Sequence, residues 1–303
     1  MRRMFSACAI ALVLAWPGSS FATVAITECG QTVPKDEHGI VQNDVHCDYR
    51  CSGDRSIVCA YDDATTCERQ DKGVCGSEEV VLEPGAVLSL NGHAITAAFK
   101  RSPILCGTAE GDRGRCTVKG PGRIDPGTHG VVSHTGLDLV LKNLTIEGGG
   151  WYDVAVTDGR VTMSGVEIRG GYTFGIRARR GITLVGVAAT PLESIESDGD
   201  IVLDGVELGG LTHVATPRTI RGRKVVLHSG SKLDGHRVLL RGAMRGGDET
   251  GPVGEVRGGR RVKLVDSEVA TMGSGTEPQL VRSTCQQSYV LGGMGSWQVC
   301  TQD

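Results

Sequence analysis

The sequence predicts an all-β fold, a parallel β-helix whose short strands coil and stack. Three observations carry that expectation: apolar residues alternate with a period of two, helical periodicity is almost absent, and a unit of about 20 residues repeats through the middle of the chain.

The repeat is visible directly. Leu139-Val-Leu-Lys-Asn-Leu-Thr-Ile-Glu-Gly148 recurs as Val161-Thr-Met-Ser-Gly-Val-Glu-Ile-Arg-Gly170, as Ile182-Thr-Leu-Val-Gly-Val, and as Ile201-Val-Leu-Asp-Gly-Val-Glu-Leu-Gly-Gly210, with starts 22, 21 and 19 residues apart. Each unit holds two short alternating runs with Gly or Asn between them. A third run precedes each, such as Gly130-Val-Val, Val154-Ala-Val or Gly175-Ile-Arg-Ala, so three strands form each coil. A leucine-rich repeat would need a fixed Leu and Asn framework, whereas Val, Ile and Gly dominate here. Coils stacked about 4.8 Å apart make eight to ten of them a rod roughly 40 to 45 Å long. Later runs, Val225-Val-Leu-His, Val238-Leu-Leu-Arg and Val262-Lys-Leu-Val, keep the strand pattern with drifting spacing, and Gly246 to Pro252 reads as a protruding loop.

Composition agrees with a turn-rich folded chain. The 303 residues include 45 glycines and only 12 aromatics, with 39% hydrophobic and 22% charged, which excludes collagen and a disordered tail. Stacked aliphatic ladders explain how so few aromatics suffice for a core.

Residues 1–22 read as a secretory signal: Arg2 and Arg3, an apolar run from Met4 to Trp16, then Pro17-Gly18 and the small-residue site Ser20-Phe21-Ala22. The expected destination is periplasmic or extracellular, and no apolar run after residue 22 reaches membrane-spanning length. Ten cysteines remain, at 29, 47, 51, 59, 67, 75, 106, 116, 285 and 300, an even number that suggests disulfides in an exported chain. Spacing cannot fix their connectivity; neighbour pairs such as Cys106 with Cys116 and Cys285 with Cys300 are the expectation. A zinc site is disfavoured because no paired C-x-x-C spacing with histidines occurs.

From Glu28 to Glu83 there are 13 acidic and 5 basic side chains, and from Pro84 onward 22 acidic and 25 basic. The expected organisation is therefore a cysteine-rich cap or insertion over 23–79, a β-helix over 80–275, and a disulfide cap over 276–303. The caps cover strand edges that an open stack would expose.

Cys29-Gly30, Leu88-Ser-Leu-Asn-Gly-His93-Ala-Ile and the repeats together resemble an exported bacterial branch of the right-handed parallel β-helix, or pectate-lyase-like, superfamily. The resemblance covers residues 80 to 270 and implies a right-handed helix, with Asn91 and His93 as corner residues. The superfamily includes pectate lyases, polygalacturonases and alginate epimerases. Their motifs do not match here: the paired aspartates and Arg-Ile-Lys of polygalacturonases and the acidic calcium cluster of pectate lyases are absent, and Asp125-Pro-Gly-Thr-His129 only loosely echoes the epimerase Asp-Pro-His-Asp. The fold alone does not name a reaction.

In a β-helix a site is a column of the repeat. Aligning the turn before the third run sets Thr128-His129-Gly130 beside Trp151-Tyr152-Asp153 and Tyr172-Thr173-Phe174. Nine aromatics follow residue 22, and Trp151, Tyr152, Tyr172 and Phe174 share this column, as a sugar-stacking groove would require. An equally weighted reading has these rings covering exposed turns, with Asp153 in an Asx turn. Hydrolysis needs two flanking carboxylates, and this column offers Asp153 with only a distant Asp125. Elimination or epimerisation of a uronate needs a base, an acid and a cation for the carboxylate. His129, Tyr152, Asp153 and Arg177 are accordingly the candidate catalytic residues, and Trp151, Tyr172, Phe174 and Asp125 the candidate substrate-binding ones.

No cofactor is expected, with Ca²⁺ the one possible metal. The one candidate for Ca²⁺, Asp198-Gly-Asp200 with Glu193 and Glu196, ranks below a solvated acidic turn. Between Arg218 and Lys263 lie 12 basic and 4 acidic residues, a stripe suited to an anionic glycan or a cell surface. Nucleic acid is not expected, since this stretch lacks aromatics and the chain is exported. The sequence thus points to a secreted monomer that binds acidic extracellular polysaccharide, as a lyase or epimerase if an enzyme. The alternative is a structural or adhesive rod without catalysis.

Overall fold

The computed structural model describes residues 22–47, 49–51, 75–77, 79–97, 102–107, 113–125, 129–133, 136–147, 152–169, 175–190, 192–209, 211–245, 254–292 and 301–302. Among them every regular element is a β-strand, and no helix is long and apolar enough to cross a membrane.

The strands line three faces. Face one stacks Thr32–Val33, Val80–Leu82, Ile104–Cys106, His129–Ser133, Tyr152–Val156, Ile176–Ala178 and Ser194–Ser197, then the first halves of His213–Arg223, Lys232–Arg241 and Glu255–Val265. Face two runs from Thr23–Ile26 and His38–Val41 through Arg115–Lys119, Asp138–Lys142, Arg160–Ser164 and Gly181–Val185 to the second halves of those long strands. Face three is a sheet of nine strands, from Val45–Cys47 to Met244–Arg245. Within each face neighbours pair in parallel, so the described residues make nine complete three-strand coils, the β-helical architecture expected.

The repeat alignment coincides with the register. Leu139 pairs with Val161, Val161 with Ile182, and Ile182 with Ile201, and Ile220, Val238 and Val262 extend this ladder. A second ladder, Leu141, Met163, Leu184 and Leu203, lies two residues along. All are buried, as period-two alternation requires when one side of each strand faces the interior.

The corner between faces two and three recurs in a left-handed backbone conformation. Asn91 (φ 52°), Asn143 (51°), Gly165 (59°), Gly186 (57°), Gly205 (61°), Lys224 (50°), Gly242 (63°) and Asp266 (49°) occupy it. From Asn143 onward each N–H reaches a carbonyl of the next coil, as in Asn143 to Ser164 (2.9 Å) and Gly186 to Asp204 (2.8 Å), so the ladder continues around the bend. Asn and Gly tolerate this conformation best, which explains their recurrence.

The ends differ from the sequence-based boundaries. The stack begins with Thr23, not near residue 80, because His38–Val41 and Val45–Cys47 pair in parallel with Val87–Ser89 and Ala94–Ala97. The cysteine-rich stretch is therefore an insertion between the first two coils, entered and left by the antiparallel pair Tyr49–Cys51 and Cys75–Ser77. At the other end Ser283–Val290 still pairs in parallel with Glu268–Ser274, beyond the boundary at 275, and Thr301–Gln302 adds an antiparallel strand to its start. Cys29 bonds Cys47 (Cα–Cα 5.3 Å) and Cys106 bonds Cys116 (6.0 Å), the latter as expected. Cys285 is disulfide-bonded, while Cys300 lies outside the described residues.

Candidate functional site

Alternation on face one presents a column of side chains to solvent. Buried Ile176 and Ala178 flank Arg177, Ile195 and Ser197 flank Glu196, Val214 and Thr216 flank Ala215, and Leu233 and Gly235 flank Asp234. Register aligns them: Ala155 with Arg177, Arg177 with Glu196, Glu196 with Ala215, Ala215 with Asp234, and Asp234 with Arg257. Over this column lies an open groove of about 710 Å³. Tyr152 stands at one end, Arg177 and Arg179 follow, Glu196 and Asp198 come next, and Pro217 and Asp234 line the far end.

A parallel row lies two residues earlier in each strand, with Ser194, His213, Lys232 and Glu255 in register. Burial, reinforced by Lys232, holds the His213 imidazole below its ordinary pKa, and its Nε2 has no hydrogen-bond partner. Lys232 Nζ lies 3.6 Å from Asp234. Glu255 Oε1 accepts 2.6 Å hydrogen bonds from both Arg257 Nε and the Tyr289 hydroxyl. Burial and that carboxylate push the Tyr289 phenol up to about 12. The ring sits over Gly273, where a Cβ would come within 2.6 Å of it, so a larger residue there would have to displace the ring.

Of the predicted residues, Tyr152 and Arg177 line the groove. His129 is in register with Tyr152 on the preceding coil, and its backbone alone is described. Trp151, Tyr172 and Phe174 lie outside the described residues. Asp125 ends Arg123–Asp125 on face three, where it pairs with Thr96, and it does not line the groove.

Asp153 is fully buried, and neither carboxylate oxygen has a hydrogen-bond partner. Desolvation pushes its pKa up to about 7, because burial penalises the charged form. It is therefore no solvated Asx turn.

The Asp198-Gly-Asp200 turn is divided. Asp198 faces the groove, while Asp200 Oδ1 accepts from the Thr219 N–H (3.1 Å) and Oδ2 lies 3.9 Å from Arg221. Among the described residues no group of three or more His, Cys, Asp or Glu side chains is placed to hold a metal ion.

The sequence reading missed Arg179 and Asp234, and it placed Glu196 only beside a calcium candidate. The available signal was spacing: Arg177, Glu196, Ala215 and Asp234 follow one another at intervals of 19 residues. The groove accordingly holds three carboxylates and two guanidinium groups along a line that crosses successive coils. Comparison with protein-family models, with curated proteins and with solved structures finds no match for this chain.

Proposed function

We propose that the protein is exported and binds an extended acidic polysaccharide across the groove of face one. The observation that carries this reading is the register-aligned column Ala155, Arg177, Glu196, Ala215, Asp234 beneath one continuous groove. A polymer lying across coils meets a new side chain at every coil, about 4.8 Å further on. Arg177 and Arg179 supply charge-assisted hydrogen bonds to a uronate carboxylate, Tyr152 offers a ring face to a sugar, and the acidic side chains accept from hydroxyls. Two disulfides, Cys29 with Cys47 and Cys106 with Cys116, suit an oxidising compartment, in keeping with the signal-like residues 1–22.

Turnover is part of the proposal. Elimination or C5 epimerisation removes a proton α to the carboxylate, with Arg177 as the carboxylate clamp and Tyr152 or His129 as base or acid. Hydrolysis is a second reading, favoured by one specific observation: Glu196 and Asp234 face the same groove two coils apart, roughly 10 Å between backbones, close to the separation that lets a water enter between two carboxylates.

The test incubates the oxidised protein with a panel of acidic polysaccharides. Elimination produces unsaturated uronate absorbance, hydrolysis new reducing ends without absorbance, and epimerisation an altered uronate ratio by NMR. Loss of product in Tyr152→Phe and Arg177→Ala, with product retained in Glu196→Gln and Asp234→Asn, supports the first chemistry. The reverse pattern supports hydrolysis. Binding without any product leaves the protein a glycan-binding rod, and absence of binding overturns the reading.

A further inference from the structure

The structure sorts the basic stretch between Arg218 and Lys263 into separate groups. On face two, Arg221 and Arg223 stand 3.9 and 3.7 Å from Asp200 and Asp204. On face one, Glu255 holds Arg257 at 2.6 Å. Arg218, Arg237, Arg260 and Arg261 remain at the corner where face one turns into face two. All four are exposed, and none forms an ion pair among the described residues.

Register stacks them. Thr219 pairs with Arg237 and Arg237 with Arg261, while Arg218, His236 and Arg260 each stand one place earlier in their strands. Four guanidinium groups and one imidazole therefore fall on three consecutive coils, at a spacing of about 4.8 Å along the rod. Their backbone is well held: the Arg218 N–H donates to Thr216 Oγ1 (3.0 Å), that hydroxyl donates to the Gly199 carbonyl (2.6 Å), and the Thr276 hydroxyl donates to the Arg260 carbonyl (2.7 Å). Guanidinium groups this close together raise a local positive potential that attracts an external anion. The strip also borders the groove, since Thr216 and Pro217 line it and Arg218 follows them.

We propose that this corner is a binding site for a linear polyanionic glycan, which runs parallel to the rod axis with its carboxylate or sulfate groups against Arg218, Arg237, Arg260 and Arg261. Its linear shape selects a chain over a membrane. A lipid surface would engage the adjoining flat face, where Asp200, Asp204 and Asp266 are interspersed among the arginines. The choice of a glycan rests on the reading of the groove, but the corner is a separate surface with separate test residues.

The experiment titrates the full oxidised chain with polygalacturonate and with dextran sulfate over a range of salt, beside Arg218→Gln/Arg237→Gln/Arg261→Gln and Arg177→Ala variants, with phosphatidylglycerol vesicles as a third ligand. Unchanged thermal melting establishes that the exposed triple variant folds. The expected result is a loss of at least about tenfold in low-salt affinity and a shallower salt dependence in the triple variant, with the steep salt dependence kept in Arg177→Ala. Binding lost in the triple variant but unchanged in Arg177→Ala upholds the corner and removes the groove. Wild-type affinity and salt dependence in the triple variant overturn the proposal. So does failure of both polyanions to bind, or vesicle binding that depends on the three arginines when polyanion binding does not.

Discussion

Arg177 and Glu196 occupy one register position on adjacent coils of face one, an opposite-charge couple with both side chains lining the groove. Exposed cross-strand charges of this kind contribute about 1 kcal/mol or less to folding. Both groups therefore remain available to a ligand, and replacing them tests binding without a large effect on the fold.

Arg177→Ala is expected to weaken acidic glycan binding by about tenfold or more, the loss typical of a charge-assisted hydrogen bond, with the unfolding midpoint nearly unchanged. Calorimetric titration alongside urea denaturation separates the two effects. Equal affinity for wild type and variant would remove Arg177 from the site.

Asp153 makes stability depend on pH. Its pKa is raised from 3.8 to about 7 in the folded state, so the folded protein holds the proton more tightly than the unfolded chain. The associated stability is fully present below pH 4 and declines as pH rises toward about 7, beyond which it levels off. Asp153→Asn removes this dependence and raises neutral-pH stability by on the order of a few kcal/mol. Urea midpoints at several pH values check this; an identical pH profile in the variant would show that Asp153 is not the titrating group.

The left-handed corner predicts a pair of opposite effects. A Cβ at Gly186 would meet nothing within 4 Å, so backbone strain at φ 57° is the main cost of Gly186→Ala, about 1 kcal/mol. Lys224 already carries that strain at φ 50°, and Lys224→Gly is expected to raise the urea midpoint. Shifts of the same sign in both variants would contradict the assignment.

Cys106 and Cys116, both fully buried, close a loop with a sequence separation of 10. Replacing both by Ala is expected to cost about 3 kcal/mol from loop entropy, with a further loss from the space left behind. Denaturation with and without reductant measures it: reduction of wild type should reproduce most of the loss and leave the variant less affected.

The regular coils were legible because their signal is local and repeated. Leu139, Val161, Ile182 and Ile201 could be aligned by eye, and they are the residues the register pairs. Asn91 likewise announced a corner and adopts φ 52°. The first coil was not legible. Thr32 pairs with Val81 across a long insertion, and strands such as Thr32–Val33 are too short to show alternation.

The groove was half legible. Tyr152 and Arg177 were found from their turn and strand, whereas Glu196 and Asp234 share no local motif with them. What unites these side chains is a coil length of 19 residues between Arg177, Glu196, Ala215 and Asp234, which becomes a surface only when the coils stack. Burial of Asp153 was hidden for a related reason, since an aspartate after two aromatics reads locally as an exposed turn.

The most direct test of the groove is calorimetric titration of oligogalacturonides into wild-type protein and into a Tyr152→Ala/Arg177→Ala variant of matched thermal stability. Saturable binding by wild type that is lost in the variant is the predicted result. Equal binding by both proteins, or no binding by wild type, would contradict a polysaccharide site on face one.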